Sequence, residues 1–435
     1  MLISYSVSNV LSFLEPVTLN LIETRKTKRH PTHVVEDAGV RVLRSAMISG
    51  PNAAGKSNLF RTLALFIKAF SRNDCRSLAE SQFRLGDGKN RIMRWELVFS
   101  NRTNLFRYAV ESDGESVVRE TLVLVADREE VVFNRDETGV HLGDVLRTCS
   151  WFDEKVKLSA FYLSKLYQDG LFEIDQNDEQ AVRLVRSALS GLKSIEVLPA
   201  DAELRPESLG RHFKIREFQT FLLKLMQNAD LGIRHVLWNR LPSGSDIENF
   251  VKMSFPKGVL PQEALKFYRF GDSYVAAVVH NRQLELYELQ CEHSGKMLRA
   301  ANESDGTLKI LNYSVFLYSM LLEPKTWVVD ELDRGLHPDL TQFIVRQALV
   351  NPNAKSQLIF TAHDVTLKSL DIFRADEIWF VSKTSRGATR LYSLYQFKPR
   401  HDVDVEKRYR EGMWGGRPNV GSLIGGDGHV GKAEK

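Results

Sequence analysis

Cysteine is scarce: Cys75, Cys149 and Cys291 are the only three in 435 residues. No two stand in a CxxC spacing, so neither a disulfide framework nor a structural zinc site is expected, and the sparse thiols suit a reducing compartment. Long apolar runs are missing too. The best of them, VFLYSMLL from Val315 to Leu322, is far too short to span a bilayer. The opening stretch MLISYSVSNVLSF alternates like a strand and lacks a basic segment followed by an apolar core and a cleavage site. The expectation is a cytoplasmic protein with no membrane partner. Neither sign of charge dominates, since 59 Lys and Arg against 55 Asp and Glu leave a net charge of +4. That balance permits a nucleic-acid partner without arguing for one. Internal repeats and low-complexity tracts are also absent, apart from the Gly-rich polar end GGDGHVGKAEK, which is expected to be disordered.

Against these absences one short stretch stands out. SGPNAAGKSNLF, Ser49 to Phe60, matches G-x-x-x-x-G-K-[ST] through Gly50, Gly55, Lys56 and Ser57. Its glycines let consecutive N–H groups curl around phosphate oxygens. Lys56 would reach the β and γ phosphates of ATP, and the Ser57 hydroxyl would ligate Mg²⁺. VLRSAMIS, Val42 to Ser49, reads as a strand entering the loop. The helix leaving it carries Leu59, Leu63, Phe66, Ile67 and Phe70 on one face. The alternative, a glycine turn with a chance lysine, explains none of that order.

The rest of the chain divides by pattern. Residues 1–149 read as strands around the phosphate loop, with marked alternation from 91 to 145. Residues 150–235 read as a helical insertion, with apolar residues at three- and four-residue spacing. Residues 236–400 return to strands and helices, and 401–435 form a tail. The expected fold is α/β, a nucleotide-binding domain split by an insertion.

TWVVDELDRGLHPDL, from Thr326, supplies an apolar strand ending in two acids. Asp330 would hold the Mg²⁺ shell and Glu331 would polarise the attacking water; a solvated acidic turn is the alternative. SQLIFTAHD ends another apolar strand at His363, placed to touch a γ-phosphate or to serve structure alone. Ser304, Asp305 and Gly306 open a long helix, either as an ordinary cap or as a second anion site. Asp402 and Asp404 form a DxD in a charged stretch, which reads as a solvated loop rather than a metal site.

Taken together, the sequence resembles the ABC-type AAA ATPases of bacterial abortive-infection and restriction-linked loci, the RloA-like group. These are relatives of the ATPase of the PARIS phage-defence system, of the ATPase lobes of OLD nucleases and of the RecF/SMC class. The resemblance is carried by MLISYSVSNVLSF, ISGPNAAGKSNL, SQFRLGD, NADLGIRHV, ESDGT, VVDELDRGLHP, IFTAHD and the run from DEIWFVSK to RYREGMWGGRPNV. It implies an ABC-type P-loop ATPase with a mixed sheet and a helical insertion, using ATP and Mg²⁺. By that resemblance Gly50, Pro51, Asn52, Ala53, Ala54, Gly55, Lys56, Ser57 and Asn58 cradle the phosphates. Ser57, Asp330 and Gln82 serve the metal, and Glu331, His363 and Lys56 are catalytic. Ser304, Asp305 and Gly306 act on the nucleotide of a second copy, and Asp333 is the D-loop contact. Arg334 and Gly335 depart from the family's small polar residues, and Ala362 replaces a common Thr.

The implied role is an ATP-binding and hydrolysing switch of a phage-defence module. It would assemble as a homodimer or larger oligomer and control an effector, nuclease or toxin, encoded by a neighbouring gene. The alternative is a RecF/SMC-like clamp in DNA repair, and the insertion's lack of sustained heptads counts against its SMC version. A nuclease in its own right is disfavoured by the short stretch after His363, and a transporter ATPase by the degenerate signature.

Overall fold

Apolar–polar alternation turns most of the amino-terminal half into strands. In this computed structural model, β1 (Leu2–Ser8), β2 (Val17–Asn20), β3 (Val34–Asp37), β4 (Val40–Leu43) and β5 (Ser45–Ser49) precede helix α1 (Lys56–Arg72). Strands β6 (Met93–Ser100), β7 (Leu105–Ser112), β8 (Val117–Val125), β9 (Glu129–Asp136) and β10 (Gly139–Leu142) follow. Next come α2 (Asp144–Arg147), α3 (Tyr162–Gln168), α4 (Gln180–Lys193), β11 (Ile195–Leu198), α5 (Arg216–Asn228), β12 (His235–Arg240) and α6 (Asp246–Met253). A strand run β13 (Glu263–Phe270), β14 (Ser273–His280), β15 (Gln283–His293) and β16 (Lys296–Arg299) leads to α7 (Asp305–Leu322). The chain closes with β17 (Thr326–Val329), α8 (Pro338–Val350), β18 (Gln357–Thr361), β19 (Ile378–Lys383), β20 (Thr389–Ser393) and α9 (Val405–Arg410). The structure describes residues 1–85, 92–147, 155–168, 180–200, 209–210, 212, 215–229, 232–244, 246–271, 273–351 and 356–415. Cys149 and the Gly-rich end lie outside them, as do parts of the stretch 150–235.

The chain forms two units. The first comprises Met1–Pro199, Lys325–Leu332 and Gln357–Lys435, and the second Ala200–Pro324 and Asp333–Ser356. The division after Pro199 falls inside the stretch read as a helical insertion. Helices α3 and α4 belong to the first unit, and β11 pairs in parallel with β17.

The first unit holds two large sheets. One is antiparallel, in the order β10-β9-β8-β7-β6-β1-β2. The other runs β11-β17-β18-β5-β19-β20, parallel except for the β19–β20 pair. All five residues of β5 are buried, as expected of a strand covered on both faces. Helix α1 buries its apolar stripe by setting Phe66 against Trp95 at 5.8 Å and Phe161 at 6.0 Å, with Phe70 against Tyr108 at 6.0 Å. Each such ring pair adds about 0.5–1.5 kcal/mol beyond its buried area. Buried Gln357 ties the elements together: its amide nitrogen donates to the carbonyls of Leu2 (2.9 Å) and Leu43 (2.8 Å), and its oxygen accepts from the Leu2 N–H (3.0 Å).

The second unit has an antiparallel sheet in the order β12-β15-β14-β13, with β16 on β15. Val251, Phe255, Val275, Ala277, Val279 and Leu286 fill its core. Helix α7 is largely buried, and its Tyr318 receives the α5 rings of Phe218 (5.2 Å) and Phe221 (5.4 Å).

Candidate functional site

Within the first unit, β17, β18 and β5 are consecutive parallel neighbours, and β19 continues the sheet in parallel beyond β5. Their carboxyl ends therefore open on one edge, the edge at which open α/β sheets bind ligands. Three of the sequence motifs end there: the phosphate loop after β5, Asp330-Glu331 after β17, and Thr361 to His363 at the end of β18.

The phosphate loop has the geometry that its glycines allow. Gly55 caps α1 at φ 109° and no side chain caps that end, which leaves the first-turn N–H groups to the loop. A Cβ at Gly55 would lie 2.2 Å from Thr389 Oγ1 and 2.9 Å from Ser12 Oγ, so only glycine fits. Lys56, 5% exposed, arches over the loop and donates to the carbonyls of Gly50 (2.8 Å) and Pro51 (3.1 Å). Asn52, Ala53 and Ser57 are exposed. Behind the loop, the Thr389 hydroxyl lies 2.8 Å from both the Ala54 carbonyl and Ser12 Oγ. Asn58 turns its amide away to donate to Ser12 Oγ at 2.9 Å. A concave backbone with an open face, a clamped back and a buried lysine fits a triphosphate. A serine hydroxyl and an aspartate on the same edge are a donor set for Mg²⁺, which takes few protein ligands and keeps phosphate and water for the rest.

Asp330 is 9% exposed, and its N–H donates to the Leu198 carbonyl at 2.9 Å. Thr361 joins both acids: its hydroxyl donates to Asp330 Oδ1 at 2.6 Å and accepts the Glu331 N–H at 2.7 Å. The Leu332 N–H donates to the Thr361 carbonyl at 3.0 Å. These bonds hold Glu331 at φ 49°, in the left-handed region where a non-glycine residue is strained. Its carboxylate lies 3.6 Å from His363 Nε2, with the side chains 27% and 46% exposed respectively. The two are thus adjacent and open to solvent, beyond direct hydrogen-bond distance.

Gln82 is half-buried and forms an isolated bridge with Val10, in the segment that carries Ser12. Ser304, Asp305, Gly306 and Asp333 belong to the second unit. There Ser304 is the N-cap of α7, accepting from the Thr307 N–H at 3.2 Å, and both Ser304 and Asp305 are exposed. Asp333 begins a turn in which its carbonyl accepts the Leu336 N–H at 3.1 Å, with Gly335 at φ 74°. The DxD stretch is spent on local structure, because Asp404 caps α9 by accepting the Lys407 N–H at 2.9 Å.

Sequence reasoning missed three residues here: Ser12, Thr361 and Thr389. Thr361 alone left a signal, a hydroxyl at the end of an apolar strand; Ser12 and Thr389 become legible only when distant strands pair.

A family model described as "AAA domain, putative AbiEii toxin, Type IV TA system" matches residues 45–369. No curated protein matches the chain. Among solved structures it is similar to an SMC head bound to the C-terminal winged-helix domain of ScpA, with 12% identity, 90% of this chain and 97% of that one covered, and a TM-score of 0.41. It is similar also to the SMC head domain from Thermotoga maritima, at 14% identity, 90% and 98% coverage and a TM-score of 0.38. A third is the Smc head domain with an extended coiled coil bound to the C-terminal domain of ScpA derived from Pyrococcus furiosus, at 11%, 94%, 98% and 0.39. Likeness at this level adds nothing to the assignment. The family match does, because it runs from the first residue of β5 past His363, taking in the phosphate loop, Asp330-Glu331 and His363. The chain belongs to this AbiEii-type AAA family.

Proposed function

We propose that this chain binds and hydrolyses ATP as the sensor and switch subunit of a bacterial phage-defence module, controlling a separately encoded effector such as a nuclease. One observation carries the ATPase reading: Thr361 bonds Asp330 and Glu331 together beside His363, on the sheet edge that also bears the phosphate loop. Lys56 and the loop N–H groups hold the phosphates. Ser57 and Asp330, with Gln82 as an additional contact, hold Mg²⁺. The ion would supply positive charge to the phosphates there. Glu331 takes the proton of the attacking water, and His363 steadies the γ-phosphate beside it. The defence role leans on the family description, whose words are "putative AbiEii toxin, Type IV TA system".

Two copies are proposed to close on ATP, with Ser304, Asp305 and Gly306 of one facing the γ-phosphate held by the other. Glu331→Gln should keep ATP binding, lower hydrolysis by about 10²–10⁴-fold and trap a larger species on size exclusion with ATP and Mg²⁺. Full hydrolysis with an unchanged profile would remove Glu331 from the mechanism. Ser304→Arg mixed with Lys56→Ala should regain part of the hydrolysis that each lacks alone, since a mixed pair keeps one intact composite site. Freely exchanging subunits that stay inactive at every ratio would end the composite-site reading. The helical stretch within 150–235 is assigned to assembly or effector contacts; charge reversals on its exposed face should spare basal ATPase and abolish effector association.

A further inference from the structure

The first unit contains a cavity of about 790 Å³ that the ATPase reading does not use. It is bounded by the basic segment after β2 and by the segment around β20, which brings Arg25, Lys26, Arg29, Lys398 and Arg400 to its wall. Among the described residues the side chains of Arg25, Lys26, Lys398 and Arg400 make no ion pair or hydrogen bond. Arg29 pairs with Asp371 only at the exposed rim, where the side chains are 46% and 81% accessible. The wall's own acid, Asp376, is already bound to Arg374 Nε at 2.9 Å. The cavity therefore concentrates unneutralised positive charge, an arrangement that repels itself until an anion enters. Part of its wall is apolar and aromatic, from buried Leu370 and Phe373 and half-buried Tyr395.

The cavity is also rigidly built. Arg374 donates to the Arg25 carbonyl at 2.8 Å and pairs with Glu23 at 3.2 Å. Thr24 donates through its N–H and hydroxyl to Asp376, at 3.1 and 2.8 Å. His30 Nε2 lies 2.8 Å from the Leu370 carbonyl, and Arg29 donates to the His401 carbonyl at 3.0 Å. These contacts fix the basic segment in place before any ligand arrives.

Glu377, next in the chain to the wall's Asp376, accepts from Ser45 Oγ at the amino-terminal end of β5. The phosphate loop leaves the opposite end of that strand, about 16 Å away at the usual rise per residue. The cavity is therefore not an extension of the ATP site. We propose that it is a second nucleotide-phosphate site: the cations hold phosphate groups and Tyr395 stacks on a base. The ligand class is a nucleotide with more than one negative charge, either free or at the 5′-phosphorylated end of a single strand.

The test uses the full chain without ATP, itself a multiply charged nucleotide that would compete for the cavity, and each titration is repeated on Lys56→Ala, which removes binding at the phosphate loop. Two fluorescent probes are titrated by polarisation: adenosine 3′,5′-bisphosphate and a 5′-phosphorylated hexathymidylate. At least one should bind, more weakly as salt rises, and the variant carrying Lys26→Ala, Lys398→Ala and Arg400→Ala should lose at least about tenfold in affinity. Binding of the strand alone identifies a polymer end, whereas equal or stronger binding of the bisphosphate identifies a free nucleotide. The substituted residues are exposed, so the variant should keep its melting temperature; if it does not, Lys398→Glu alone replaces it. Failure of both probes, or binding that the substitutions leave unchanged, overturns the proposal. Neither result bears on Lys56 or Glu331.

Discussion

Helices α1 and α7 both begin behind a short polar turn, yet their first turns are satisfied in opposite ways. At α1 the N-cap is Gly55 at φ 109°, no side chain caps the end, and the loop is wedged from behind by Ser12 and Thr389. At α7 the N-cap is Ser304, whose own hydroxyl accepts the Thr307 N–H at 3.2 Å. A Cβ at Gly306 would meet only ordinary van der Waals contacts, at 3.7 Å from Ser304 Oγ and the Gly335 carbonyl. A start shaped for a ligand leaves its donors uncapped and cannot tolerate a Cβ. A self-sufficient start folds the same with or without a ligand. The first glycine is a requirement of the fold, whereas the fold tolerates a Cβ at the second.

That contrast can be broken or sharpened in four steps. Lys56→Ala should have the largest effect, removing most ATP affinity because the phosphates lose their point-charge partner; wild-type affinity by calorimetry would contradict the role of α1. Gly55→Ala should follow, destabilising the protein by about 2–4 kcal/mol through strain and overlap with Thr389. Denaturant melts should then show loss of stability together with loss of nucleotide binding. Ser304→Ala should cost about 1 kcal/mol, the usual value of an N-cap, and should leave ATP affinity intact. Gly306→Ala should be smallest, within about 0.5 kcal/mol of wild type in the same melts. If Gly306→Ala nevertheless abolishes hydrolysis, the lost contact lies with a ligand or a second copy rather than in the folded chain. A melt shifted as far as that of Gly55→Ala would erase the distinction between the two helix starts.

How much of this was legible from the sequence depended on distance along the chain. The phosphate loop could be read outright, because its glycines, lysine and flanking strand and helix are contiguous. Asp330, Glu331 and His363 could be named from local strand-end patterns, and the structure brings them to one edge. Thr361 could not be given its role, because that role exists only once β17 and β18 lie side by side. Ser12 and Thr389 meet across most of the chain's length. Strand β11, four residues long, is too short to show alternation, and it follows α4 in a stretch whose periodicity is helical. Its strand character comes from pairing with β17, a tertiary fact that no local pattern announces.

The order of strands in the parallel sheet has a consequence for the birth of the protein. Strands β1, β2 and β6 to β10 can complete the antiparallel sheet from chain made before residue 143. Strand β5 cannot be completed so early, because both its neighbours, β18 and β19, come near the end of the chain. The side chain of Gln357 bonds to Leu43, 314 residues away. At about 5–20 residues per second, a ribosome takes roughly 15–60 s to make that intervening chain. Throughout that interval the apolar strand Ser45–Ser49 waits without its partners, open to wrong pairing and to chaperones. A fragment ending before Gln357 therefore holds the entire phosphate-loop sequence and lacks the strands that give the loop its shape.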